Sequence, residues 1–418
     1  MPVSEQRGLA TSEVKDEVAR GPTATRAAKR MIKKKLLPIF VMAAVLDSGF
    51  GSIFALLAKI RGEFGFDVMG VAIIGGAGFV SAFIAQISLA RYADRGHTRL
   101  LLWTGMGTAV LSMTVLAWSE TLIAFIGARF LFGLGEGIFL PAARRLVILS
   151  SPEDTGGALG QLSAFQMFGF LIGPLLGSVL GEYLGLRMTF LINGALILAC
   201  APLISRIPVV EGAILEAKSV IRQLLRDRNI RAIMLAVIGY YGSFGIYESI
   251  WAIYLDDLGA SQIFIGFNLT LFAIPMVLVA PFAGKFAERQ GGMTVSLIAI
   301  AISIPAVATY GMTSNIILLT GILMIHAIAD AAVVPSIQLS TSRLAGDAQA
   351  SAQGLLNAAG LVVAACVALG SGAVYQSFGP FWLFAGWAFV MSLTTAAAAL
   401  LGRGELRREA EKRLEQTQ

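Results

Sequence analysis

Ionisable side chains stand deep inside apolar stretches of this chain, where a charge is expensive and its presence asks for a use. Asp47 lies about 11 residues into one such stretch, roughly 17 Å along a helix. Its neighbours Val45, Leu46, Phe50 and Ile53 offer it no local solvent. Arg129 carries a permanent charge, and left unpaired in hydrocarbon it would cost at least about 2.5–3.5 kcal/mol. It is therefore expected to face a cavity and hold a carboxylate or solvent, with Asp47 as the partner that takes up and releases protons. Glu136 follows seven residues later on nearly the same helix face, either as a second proton carrier or as a permanent partner of the arginine. Asp330 falls one helical turn after His326, so the two side chains can meet. Histidine titrates near neutral pH, which makes the pair a second relay or, alternatively, a bond that steadies its own helix.

A further group has the chemistry of a binding surface. Tyr240, Phe244, Tyr247, Glu248 and Trp251 recur at helical spacing and place one acid on an aromatic face. Ring faces and a carboxylate suit a flat, lipophilic cation; packing against neighbouring helices is the plainer alternative. Gln86, Gln166, Asn268 and Asn357 are additional candidates to line a path.

The composition defines the medium that holds these groups. Of 418 residues, 56% are hydrophobic and 14% charged, against about 25% charged in soluble domains. The mean hydropathy is +0.76. Twelve stretches are long and apolar enough to span a bilayer, near 36–58, 68–89, 100–118, 121–142, 159–181, 187–206, 231–254, 263–283, 293–312, 315–338, 351–374 and 379–402. An even number puts both termini on one side. With the termini cytoplasmic, only Lys59, Arg61 and Arg187 of the 32 basic residues fall in outer loops and Arg129 falls within a span. That distribution obeys the positive-inside rule, whereas the opposite orientation breaks it. The net charge of +6 is therefore a matter of topology, not of nucleic acid. Cys200 and Cys366 lie singly in apolar runs, and no metal-ligand spacing or nucleotide-binding loop is present. No cofactor is expected, and no enzymatic activity.

The chain also repeats itself. At a constant offset of 194 positions, Phe50-Gly51 pairs with Phe244-Gly245, Ala93-Asp94-Arg95 with Ala287-Glu288-Arg289, Glu136 with Asp330, Pro141 with Pro335 and Gly160 with Gly354. Two copies of one membrane unit facing each other are how secondary transporters are built. Each copy contains a short turn, Ala90 to Arg99 and Gly284 to Gly291. Its carboxylate can sit at a neighbouring helix N-terminus, where an anion gains roughly 0.3–1 kcal/mol.

Three stretches resemble the major facilitator superfamily. The second turn fits its Gly-x-x-x-Asp-Arg-x-Gly loop, with Glu288 for Asp; the first has Ala90 for the leading glycine and His97 where the later one belongs. Arg129-x-x-x-Gly133-x-Gly135 looks like the fourth-helix motif, whose arginine is associated with proton coupling. Gly160, Gly169, Gly173, Pro174 and Gly177 reproduce a fifth-helix signature, Gly-x8-Gly-x3-Gly-Pro-x2-Gly, characteristic of the proton-linked drug antiporters and exporters. The resemblance implies an all-α fold of 12 transmembrane helices in two pseudo-symmetric six-helix halves. It implies that Asp94 and Arg95, with Glu288 and Arg289 as repeat mates, latch the cytoplasmic side in the outward-open state. Asp47 echoes first-helix carboxylates of related antiporters.

The expected organisation is a basic cytoplasmic tail (1–35), a first half (36–206), a cytoplasmic linker (207–230), a second half (231–402) and a charged, fraying tail (403–418). The expected function is proton-coupled efflux of a small amphipathic compound across a bacterial inner membrane, by a monomer whose partners are its substrate, protons and lipid. Two alternatives stay open: a proton symporter importing a metabolite or anion, and a sensor or assembly factor that kept the fold without transporting.

Overall fold

The structure is a computed structural model and describes residues 22–94, 97–151, 155–207, 221–346 and 349–417. Its helices are α1 (Pro22–Ala55), α2 (Leu57–Phe64), α3 (Val68–Asp94), α4 (Thr98–Trp118), α5 (Leu122–Ser150), α6 (Thr155–Cys200) and α7 (Ile221–Leu224). There follow α8 (Arg228–Ile246), α9 (Ala252–Asp257), α10 (Gln262–Leu278), α11 (Ala280–Gln290), α12 (Gly292–Tyr310), α13 (Ile316–Ala345), α14 (Gln349–Leu401) and α15 (Arg403–Thr417). Helices suit this setting because hydrocarbon offers backbone groups no partner outside their own segment.

Among the described residues, nine helical stretches are long and apolar enough to cross a bilayer. Two of them, Gly157–Arg206 and Ala352–Leu401, run 50 residues each, about 75 Å if straight and far more than the roughly 30 Å of hydrocarbon. Each is broken at one glycine, Gly185 (φ 77°) and Gly379 (φ 82°), where the backbone leaves the helical region. The pair α10 and α11, bent by 46°, makes one further crossing. Dividing the two long stretches and joining the bent pair gives the twelve crossings that hydropathy predicts. The reversals occur at single residues rather than in the short loops the sequence suggests.

The turning glycines carry the repeat independently of the motifs. Gly65 (φ 68°) and Gly259 (φ 83°) stand 194 residues apart, as do Gly185 and Gly379. Each adopts the left-handed region that a side chain resists by roughly 1–2 kcal/mol.

Close packing holds the crossings together. A methyl group built on Gly169, Gly173 or Gly177 of α6 would strike the backbone of Ala44, Ser48 or Ser52 of α1. Both triplets have the spacing i, i+4, i+8, so two stripes of small residues mesh and the backbones approach directly. Ser52 Oγ then donates at 2.9 Å to the Gly173 carbonyl. Gly160 has open space around it and takes no part.

The two halves meet tightly at one face. Arg61 Nη1 lies 2.6 Å from Asp257 Oδ1, and Tyr375 Oη donates to Asp257 Oδ2 at 2.8 Å. Gln262 Nε2 donates to the Ala55 carbonyl (2.7 Å) and Ser178 Oγ (2.9 Å), and Met69 N donates to Gln376 Oε1 (3.1 Å). These contacts close the face opposite the chain's two ends.

The C-terminal segment is not a fraying tail. Glu409 of α15 is 8% exposed, and its carboxylate accepts from the backbone of Met293 (3.1 Å) and Thr294 (2.9 Å) and from Thr294 Oγ1 (2.7 Å). The anion at the N-terminus of α12 is thus Glu409, whereas the sequence offered Glu288 for such a place. Glu288 is exposed, and its backbone carbonyl accepts from Arg343 Nη2 at 3.5 Å; Arg289 is exposed as well. The side chain of Asp94 and all of Arg95 lie outside the described residues, as does most of the linker, 208–220.

Two substitutions check this packing by thermal melting of the purified protein. Gly173→Ala is expected to lower stability by about 1–3 kcal/mol through overpacking, while Gly160→Ala shifts it by no more than about 0.5 kcal/mol. Glu409→Ala is expected to cost about 1 kcal/mol and to loosen α15 enough for trypsin to cleave after the already exposed Arg407 and Arg408.

Candidate functional site

The centre of the molecule holds a graded series of charges along α5. Arg129, about two turns into the helix, is completely buried, and none of its Nε, Nη1 and Nη2 donates a hydrogen bond. Its guanidinium lies among phenyl rings instead, with Cζ 4.1 Å from the Phe50 centroid, 4.6 Å from Phe54 and 5.8 Å from Phe132. A ring face attracts a desolvated cation by about 2 kcal/mol, which offsets part of its burial. The opposite charges within reach are Glu248, across the boundary between halves, and then Glu136. Glu248 is 4% exposed and both its oxygens lack a donor.

Fifteen positions beyond Arg129, toward the face that bears the chain ends, stands Arg144. Its electrostatic neighbours are Asp47, Tyr241 and Glu136. Asp47 in turn hydrogen-bonds to Gln166 and lies near Glu136 and Arg144, with Oδ2 left unpartnered. Arg144, Glu136, Gln166 and Tyr241 are half-buried. Sequence reasoning paired Asp47 with Arg129, and the structure brings Arg144 to it instead. Arg144 escaped notice because hydropathy ended its span near residue 142, which made Arg144 read as a loop charge; α5 in fact continues to Ser150.

The second half contains a buried polar network. His326 Nε2 lies 3.2 Å from Asp330 Oδ2, and Ser303 Oγ donates to Asp330 Oδ1 at 2.8 Å. His326 Nδ1 is 2.9 Å from Tyr310 Oη and 3.3 Å from Tyr247 Oη. The spacing that allowed His326 and Asp330 to meet does bring them together.

Between the halves lies a narrow cleft lined by Phe54, Phe170 and Pro174 on one side and by Phe244, Tyr247, Glu248, Leu269 and Phe272 on the other. Residues 247–251 form one π-helical turn between α8 and α9. Such a turn widens a helix locally and often marks a functional position. Phe244, Tyr247 and Glu248 of the expected aromatic face reach this cleft. Tyr240 does not; it packs edge-on against Tyr241 at 5.1 Å. Trp251 is fully buried and donates from Nε1 to Asn268 Oδ1 at 2.8 Å, so it serves as packing. Phe54 and Phe170, which line the opposite wall, carried no signal because isolated phenylalanines are common in any span.

Among the described residues no group of three or more His, Cys, Asp or Glu side chains is placed to hold a metal ion.

Comparison with known proteins now has a geometry to attach to. Residues 39–249 and 233–417 both match the sequence profile of the Major Facilitator Superfamily. The multidrug resistance protein MdtG of Salmonella paratyphi A (strain ATCC 9150 / SARB42) is 27% identical over 285 residues, 64% of this chain and 70% of MdtG. MdtG of Salmonella typhi is similar to the same extent, 27% over 285 residues. A bacterial homolog of the human lysosomal transporter Spinster superposes with a TM-score of 0.73 at 15% identity, over 92% of this chain and 98% of that one. The nucleoside transporter NupG gives a TM-score of 0.73 at 14% identity, over 88% and 98%. At such identities the solved structures speak for the fold alone. The profile covers both repeats of an all-helical molecule with charges buried between its halves, and the chain belongs to the major facilitator superfamily of membrane transporters.

Proposed function

We propose that this protein exports a small lipophilic cation in exchange for protons, by alternating access across the inner membrane of a bacterial cell. The observation that carries the reading is Glu248: a carboxylate with no hydrogen-bond donor, in a cleft walled by five aromatic rings with Pro174 and Leu269. A cation with apolar bulk satisfies both features of that cleft, through ring faces and through charge. A proton satisfies the carboxylate equally well, so proton and cation exclude each other there, which is the essential requirement of exchange.

The remaining charges supply the proton's route. Asp47 and Glu136 are each left with one unpartnered oxygen, and Arg144 lies near both of them. With the termini cytoplasmic, as the lysine and arginine distribution suggests, the face closed by Arg61 and Asp257 is the outer one. The cleft is then poised to load from the cytoplasm. The similarity to MdtG, 27% identical over 285 residues, supports export over uptake.

The test is movement of tetraphenylphosphonium in proteoliposomes under an imposed pH gradient. Accumulation is expected to follow the sign of the gradient and to collapse when nigericin removes it. Asp47→Asn and Glu248→Gln are each expected to lower gradient-driven transport at least about tenfold, given that proton transfer by a placed group typically contributes 10²–10⁴-fold. Transport by Asp47→Asn equal to the parent would show that this carboxylate does not couple. Accumulation that moves with protons in the same direction would establish symport, and no movement at all would point to a non-transporting role.

A further inference from the structure

Arg129 and Glu248 are held apart although each is the other's leading opposite charge. They come from different halves, α5 and the π-helical turn after α8, and neither side chain has a hydrogen-bond partner. One turn of α3 brings them close. A methyl on Gly75 would sit 3.1 Å from the backbone carbonyl oxygen of Glu248, and one on Gly78 would sit 2.8 Å from Arg129 Cζ and Nε. The two residues therefore approach a single helical turn of bare backbone. Phe54 borders both: its ring lies 4.6 Å from the guanidinium and also lines the cleft with Glu248. Phe54 belongs to a wall of rings that continues through Phe79 (6.3 Å) to Phe244 (6.3 Å from Phe79) and so crosses from one half to the other.

A guanidinium bonded to nothing, one ring away from a carboxylate bonded to nothing, is an ion pair waiting for its geometry. We propose that Arg129 is the internal competitor that expels the transported cation. In the present state Phe54 screens the guanidinium from Glu248 and leaves the carboxylate free to receive cargo. When the face closed by Arg61 and Asp257 opens, the rotation of one half against the other carries Phe54 aside. Arg129 then pairs with Glu248 across the boundary and displaces the cation. The contact is made in only one of the two states, and there it favours release. This inference rests on the reading that Glu248 receives the charge of the cargo.

Equilibrium binding of tetraphenylphosphonium to the purified full-length protein tests it, with tetraphenylborate as the probe of opposite charge. Removing the competitor by Arg129→Gln is expected to tighten tetraphenylphosphonium binding about tenfold, the lower range of coupling between close charges at an interface. The same variant should slow export, because release loses its driving contact, and should not tighten tetraphenylborate. In a Glu248→Gln background, Arg129→Gln should leave tetraphenylphosphonium affinity unchanged. If Arg129→Gln is not monodisperse, Arg129→Met, which keeps volume between the phenyl rings, takes its place. Unchanged or weaker tetraphenylphosphonium binding on loss of Arg129 overturns the inference. Equal tightening with Glu248 already replaced overturns it too, since the effect would not run through that carboxylate. Glu248→Gln alone binding tetraphenylphosphonium as tightly as the parent overturns the underlying reading of the cleft instead.

Discussion

Burying a permanent cation between two halves of a membrane protein, with no hydrogen bond to satisfy it, constrains everything around it. The guanidinium of Arg129 has left water entirely, and an arginine cannot shed its charge as a buried carboxylate can. What remains to stabilise it is the negative face of aromatic rings and the field of carboxylates a short distance off. The surrounding architecture supplies both. Phe50, Phe54 and Phe132 enclose it, Gly78 leaves it room, and Glu248 and Glu136 face it from two helices. A charge stabilised only at a distance is sensitive to small rotations of one half against the other.

The duplication explains how such a site arises beside a quiet one. At the 194-residue offset Asp47 corresponds to Tyr241, Arg144 to Gln338, Arg129 to Leu323 and Phe54 to Glu248. Where α5 of the first copy carries Arg129 and Arg144, the second copy carries the uncharged Leu323 and Gln338. Glu136 and Asp330 keep an acid in both copies, as Asp94 and Glu288 do, but their surroundings differ. Glu136 is half-buried among charges, whereas Asp330 lies 3.2 Å from His326 Nε2 and accepts from Ser303 Oγ. Helix packing is the shared part, since glycine and serine stripes let α1 meet α6 backbone to backbone regardless of the chemistry each half carries.

Much of the fold was legible in the sequence because hydrocarbon imposes a simple rule: length and apolarity mark a crossing, and basic residues mark the loops. The rule failed where a crossing ended in charge. Arg144 belongs to a helix that runs on to Ser150, and a positive residue near a boundary reads as topology whichever way its side chain turns. The helical spacing of His326 and Asp330 predicted a contact that exists, because a pair one turn apart on a single helix needs no tertiary information. The pairing of Asp47 with Arg129 did need it, and there the sequence misled. Periodicity also placed Tyr240 and Trp251 on one face with Glu248, but a single π-helical turn at 247–251 separates the cleft-lining rings from the packed ones. No pattern of residue types announces that extra residue.

The central claim is that the two halves rock about a fixed set of buried charges, opening one face as they close the other. Double electron–electron resonance on spin-label pairs reads this directly. One pair, at Glu63 and Asp256, spans the closed face; the other, at Arg99 and Lys285, spans the face that bears the termini, and all four positions are exposed. Alternating access requires that lowering the pH or adding a lipophilic cation lengthen one distance while shortening the other. Distances that stay fixed under both treatments, or that change in the same direction, would contradict it.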